Sequence, residues 1–132
     1  MTKKTLLHGL SAGFLSAIAC LFYSEIYNAT SGADFSEVIN IFPVIITCIV
    51  GCMIAAAGNL FLAKWIGNKN THEIIFNIIF LFLTFISCIY PLSVRLPYEK
   101  FDFPQLFNGL VIPMHFFPVL FWIALSPVFK KS

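Results

Sequence analysis

Four apolar stretches, each long enough to cross a bilayer, constrain this chain more than any motif does. They run from about Thr5 to Ser24, Val38 to Ala63, Glu73 to Tyr90 and Leu106 to Phe129, and none contains Lys, Arg or Asp. A hydrocarbon core about 30 Å thick takes roughly 20 helical residues. The runs are continuous, not alternating, which argues against barrel strands. The expected fold class is all-α: one integral membrane domain over residues 1–132, built as an antiparallel four-helix bundle. Composition agrees. Charged residues make up 11% of the chain, where a soluble domain carries about 25%, so too little polar surface exists to coat a globule in water. The net charge of +2 and the lack of a basic stripe give no reason to expect nucleic acid as a partner.

Start signals fit these divisions. Asp34 with Glu37, and Asp102 with Gln105, have capping-box spacing ahead of the second and fourth spans, and Thr71 before Glu73 is the cap expected for the third. Basic residues set the orientation. With the N-terminus inside, Lys3, Lys4, Lys64, Lys69, Lys130 and Lys131 share the inner side, against Arg95 and Lys100 outside. This places both termini in the cytoplasm. A rival reading takes Lys3, Lys4 and Ala17-Ile18-Ala19 as a signal peptide cleaved before Cys20. Against it, the apolar run continues through Leu21, Phe22 and Tyr23.

Burial does not drive helices together in lipid, whereas close backbone approach and interhelical hydrogen bonds do. Gly9, Gly13 and Ala17 form a ridge of small residues on the first span, and Gly51 and Ala55 form one on the second. Contact between these ridges is the packing expected for the first hairpin. Homodimerisation through one of them is the alternative. The third span is nearly all Ile, Phe and Leu, and its Asn77, Thr84, Ser87 and Cys88 should turn inward.

His115 is the residue most suggestive of a site. It falls just outside the midplane, where an ionisable side chain is costly and usually faces the bundle interior. Pro113 and Pro118 flank it, and each frees a carbonyl one turn earlier, at Gly109 and Met114. Ser16, Cys20, Thr47, Cys48, Thr84 and Ser87 are expected at similar depth. A ligand pocket here would draw on His115, Ser87, Thr84 and Ser16, with Arg95 in the third loop ready for a phosphate or carboxylate. The plainer reading is a neutral imidazole bonded to a hydroxyl or a freed carbonyl.

No cofactor or metal is expected. Haem would want paired axial histidines and metals want clustered donors, while His8 and His72 lie at the opposite depth from His115, as interfacial residues near headgroups. Cys20, Cys48, Cys52 and Cys88 all sit in apolar runs without a CxxC, and read as small hydrophobes. Trp65 and Trp122 read as interface or lipid-facing anchors. Tyr90, Tyr98, Phe101 and Phe103, interleaved with Pro91, Pro97 and Pro104, read as an aromatic belt at the outer surface. No nucleophile elbow, P-loop, HExxH or paired carboxylate offers a catalytic residue.

Ser87-Cys88-Ile89-Tyr90-Pro91-Leu92 at the end of the third span, and Met114-His115 in the fourth, resemble a family of small bacterial four-span membrane proteins classed as a domain of unknown function. In that family a Ser and Pro-Leu pattern closes the third span and a Met-His pair marks the last, so Ser87, Pro91, Leu92, Met114 and His115 would match. The resemblance implies this architecture in a bacterial inner membrane, and no activity. Three functions follow from the residues. The first is a non-enzymatic protein acting by association, as a homo-oligomer or with a membrane partner. The second is a small-molecule or lipid-binding, transport-related protein with a pocket near His115, and the third is an intramembrane redox enzyme. Membrane lipids are expected partners in each.

Overall fold

The computed structural model describes residues 2–97, 100 and 103–131, with the backbone alone at 131. Its elements are α1 (Thr2–Ser31), α2 (Ile41–Trp65), α3 (Lys69–Ser87), the short α4 (Ile89–Ser93) and α5 (Phe107–Lys131), which a single 3-10 turn (Pro104–Leu106) precedes. Four segments are long and apolar enough to cross a membrane: Thr2–Ser31, Ile41–Trp65, Lys69–Ser93 and Pro104–Lys130. The protein is an all-α, multi-pass membrane bundle. Antiparallel order brings the start of α1 and α3 and the end of α2 and α5 together, so Lys4, Lys69 and Lys130 meet at one end.

The helices run past the expected limits. α1 continues seven residues beyond Ser24, because falling hydropathy does not stop a helix while backbone geometry does. It ends before Gly32, which takes φ +72°, the left-handed conformation that glycine accepts without a Cβ clash. At about 1.5 Å per residue, its 30 residues reach about 45 Å. The following segment folds back, seating Phe35, fully buried, against Phe107 with ring centroids 5.5 Å apart. The helix spanning Lys69 to Ser93 is interrupted at Cys88, three residues before Pro91, which has no N–H to offer the carbonyl of Ser87.

Two of the expected caps are corrected. Asp34 does not cap α2: its carboxylate accepts from the Ser36 N–H at 2.9 Å, a local turn that holds the carboxyl below its ordinary pKa, and α2 starts only after Asn40. For α3 the cap is Asn68, not Thr71, its side chain accepting from the N–H groups of Asn70 and Thr71. Asp102 lies outside the described residues.

α1 and α2 meet along the glycines of α1. A Cβ on Gly9 would stand 2.7 Å from the Ala56 Cβ and 2.8 Å from the Cys52 carbonyl oxygen, and one on Gly13 would stand 2.8 Å from the Ile49 Cα. Ala17 is buried in the same helix. The seat on α2 is therefore Cys48, Cys52 and Ala56, one face round from the expected Gly51 and Ala55. Gly51 has nothing within 4 Å of its Cβ position and Ala55 is half-buried.

α5 packs on α1 by a different device. Proline at 113 leaves the Gly109 carbonyl without its helical donor, and the Tyr23 hydroxyl supplies one at 2.7 Å. Proline at 118 does the same to Met114, whose carbonyl accepts from the Cys20 thiol at 3.5 Å. The Tyr27 hydroxyl donates to the Leu106 carbonyl at 2.6 Å, and the close passage of its ring over Gly109 leaves no room there for a side chain. At Gly109 and Met114, α5 is thus bound to α1 through carbonyls whose helical donors the prolines removed.

Candidate functional site: an apolar cleft and a polar chamber

The bundle is not filled. Between α2, α3 and α5 lies an apolar cleft of about 830 Å³, bordered by Cys20, Thr47, Cys48, Gly51, Thr84 and His115 among others. Its size falls within the range of about 300–1,000 Å³ usual for small-molecule sites. Glycine makes part of the space, since Gly51 and Gly58 bring α2 to the cleft without side chains.

His115 is half-buried at this cleft, and its Nδ1–H donates to the Val111 carbonyl at 2.8 Å, one turn back along its own helix. That assignment leaves the lone pair on Nε2 as the nitrogen that can accept from a guest. The freed carbonyls of Gly109 and Met114 are taken by α1 instead. Thr84 is buried and donates to Phe80 at 2.9 Å, while Ser87 donates to Thr84 at 2.7 Å. Both line the cleft, as do Cys20, Thr47 and Cys48. Ser16 does not: it is wholly buried on α1, donating to Ala12 at 2.6 Å. Arg95 stands exposed after α4 and borders neither cavity.

A second cavity, about 320 Å³, opens at the lysine-bearing end, lined by Lys4, His8, Lys69, His72, Glu73 and Trp122 among others. Here the structure corrects three expectations. His8 and His72, expected to face headgroups as interfacial residues, are instead buried within the bundle, at 7% and 3% exposure. Trp122 is no lipid-facing anchor but a core residue at 2% exposure, whereas Trp65 is 78% exposed. His8 lies between Trp122 and Phe129, stacked on both. His72 donates from Nδ1 to the Lys69 carbonyl at 3.0 Å, and its Nε2 meets the Asn59 carboxamide at 2.8 Å, accepting from the amide nitrogen in the tautomer with a single ring N–H. Glu73 pairs with Lys130 at 2.5 Å.

Depth along the spans was the guide to His115, and it misses this chamber because its polar groups come from the ends of α1, α2, α3 and α5. A signal did exist in the sequence. His8, Asn59 and Asn77 all fall within about two turns of the same bundle end, inside apolar runs where each needs a partner, and His72 stands just ahead of one.

The partition between the two cavities is aromatic: Phe76, on the cleft side, packs on Trp122 of the chamber with centroids 5.3 Å apart. All four cysteines are free and buried, with the Sγ atoms of Cys20 and Cys48 at 3.8 Å. Among the described residues, no three His, Cys, Asp or Glu side chains are grouped to hold a metal ion. Comparison with protein-family models, curated proteins and solved structures finds no match for this chain.

Proposed function

We propose that the protein binds an apolar or amphiphilic molecule of the bilayer in the cleft beside His115. The observation that carries this reading is the cleft itself: about 830 Å³ of space among three helices, walled mainly by aliphatic and aromatic side chains, with one imidazole and three hydroxyl residues in its lining. Few polar groups in a large apolar site suit a lipid chain with a single oxygen function better than a polar metabolite. The lysines gathered at one end support cytoplasmic termini by the positive-inside rule, and the resemblance to a bacterial family is what supports an inner membrane. Architecture and the Met114-His115 pair keep membership of the four-span family of unknown function as part of this proposal.

The test uses the open space at Gly51. Protein extracted in an uncharged detergent should retain lipid by native mass spectrometry and enhance the emission of a conjugated polyene fatty acid. Gly51→Phe, whose side chain enters free space, should cut both. Equal binding by the wild-type and filled proteins would sink the cleft as the site.

Association is the second reading, because Gly51 and Ala57 stand exposed on α2, where another helix could approach closely. The ridge on α1 no longer supports it, since Gly9 and Gly13 are already spent within the chain. Crosslinking in native membranes separates the readings: a dimer lost on Gly51→Phe without any lipid retention favours association.

A further inference from the structure

The chamber at the lysine end plays no part in the cleft reading, and its chemistry differs. Lys4, Lys69 and Lys130 line it against one carboxylate, Glu73, which Lys130 already neutralises. Lys4 and Lys69 thus add two positively charged side chains to the lining of a hollow of about 320 Å³ that Asn59 and Asn77 also border. Ammonium groups can only donate hydrogen bonds, and carboxamides can donate them. The chamber wall includes a buried ring stack: the indole of Trp122 with the His8 imidazole lying on it, centroids 4.1 Å apart. A guest for such a place carries negative charge and accepts hydrogen bonds from several directions. A cation would meet the positive charge of Lys4 and Lys69, which make no ion pair among the described residues.

We propose that the chamber is an oxyanion site that takes a phosphate group, with Lys4 and Lys69 as its charge partners. A phosphate offers several acceptor oxygens to donors arriving from different helices, and charge-assisted bonds to it are stronger than neutral ones. Near a buried ring stack the same charges attract more strongly than in open water. The chamber lies at the end of the bundle where both lipid headgroups and solutes arrive, so the phosphate can be borne by a lipid or be free. Neither source depends on the cleft being occupied, because the Phe76–Trp122 pair stands between the two.

Trp122 is a built-in reporter once the exposed Trp65 is replaced. In a Trp65→Phe background, inorganic phosphate and dihexanoyl phosphatidic acid are titrated separately at ionic strength matched with sodium chloride. Dihexanoylglycerol serves as the lipid control. The expected result is a saturable change in Trp122 emission that weakens about tenfold in Lys4→Gln/Lys69→Gln. In Lys3→Gln/Lys64→Gln, which removes equal charge outside the chamber, it should stay within about twofold. A response to inorganic phosphate assigns a free anion. A response to phosphatidic acid alone, with dihexanoylglycerol silent, assigns a lipid phosphate. No saturable change with either ligand overturns the proposal, as does equal weakening in both double variants. Adding Gly51→Phe should leave the titration unchanged, so a failed cleft and a failed chamber are told apart.

Discussion

His8 lies face to face with Trp122, ring centroids 4.1 Å apart and 21° from parallel, and its Nε2 donates to the carbonyl of that same residue at 2.8 Å. One side chain of α1 thus holds α5 by stacking and by a hydrogen bond at once, 114 residues away in sequence.

This double attachment has a measurable weight. A stacked pair contributes about 0.5–1.5 kcal/mol beyond its buried area, and a hydrogen bond about 1 kcal/mol net. His8→Ala should therefore lower stability by about 2 kcal/mol, and His8→Phe, which keeps a ring but no donor, by about half of that. Thermal unfolding of the purified protein in one detergent reads both. Two variants as stable as the parent would mean the contact carries no weight.

The α1–α2 seam separates glycines that matter from one that does not. A Cβ on Gly13 would meet the backbone of Ile49 at 2.8 Å and of Cys48 at 3.0 Å, and backbone cannot swing aside as a side chain does. Gly13→Ala should destabilise by about 1–3 kcal/mol through forced separation of the helices. Gly51→Ala, entering open space, should be neutral or mildly stabilising through better helix propensity. The same unfolding assay compares them, and a reversed order would contradict the assignment of the seam to Cys48, Cys52 and Ala56.

How much of this was legible in the sequence differs by element, for physical reasons. The four spans follow from hydropathy alone, since nothing but a helix can carry such runs through lipid. Gly9 and Gly13 announced a close approach, but their seat on α2 did not. A helix presents several small-residue faces, and which one is used depends on rotation about its axis, fixed here by Cys52 and Ala56 rather than Gly51. Pro113 and Pro118 announced free carbonyls at Gly109 and Met114, while their donors, Tyr23 and Cys20, lie in a helix almost a hundred residues earlier and are placed only by the fold. Trp122 misled because an indole near a span end suits a headgroup belt or a core equally. The arrival of His8 above it decides the matter.

Cys20 and Cys48 face each other across the same seam at 3.8 Å between sulfurs. A disulfide needs about 2.05 Å, a distance that small rotations of two side chains can cover. Treatment of membranes with copper-phenanthroline and oxygen should join these two within one chain, oxygen accepting the electrons from both thiols. Peptide mapping should find the 20–48 bridge, lost in Cys20→Ala and Cys48→Ala and retained in Cys52→Ala. A bridge involving Cys52 in its place would show that α2 is rotated relative to α1.

The bond from Tyr23 to Gly109 exists because proline at 113 removed the helical donor, and that dependence can be measured. In the native chain, Tyr23→Phe leaves the Gly109 carbonyl without its donor, and should cost about 1 kcal/mol. Pro113→Ala returns a backbone N–H one turn from Gly109, so the carbonyl is satisfied within α5 and the hydroxyl is no longer needed. Tyr23→Phe on that background should cost well under half as much. The difference is the coupling of a double-mutant cycle, about 0.5 kcal/mol or more in favour of rescue. Equal losses on both backgrounds would mean that Tyr23 acts by packing against Phe117, its ring neighbour at 5.8 Å, and not by replacing the missing donor.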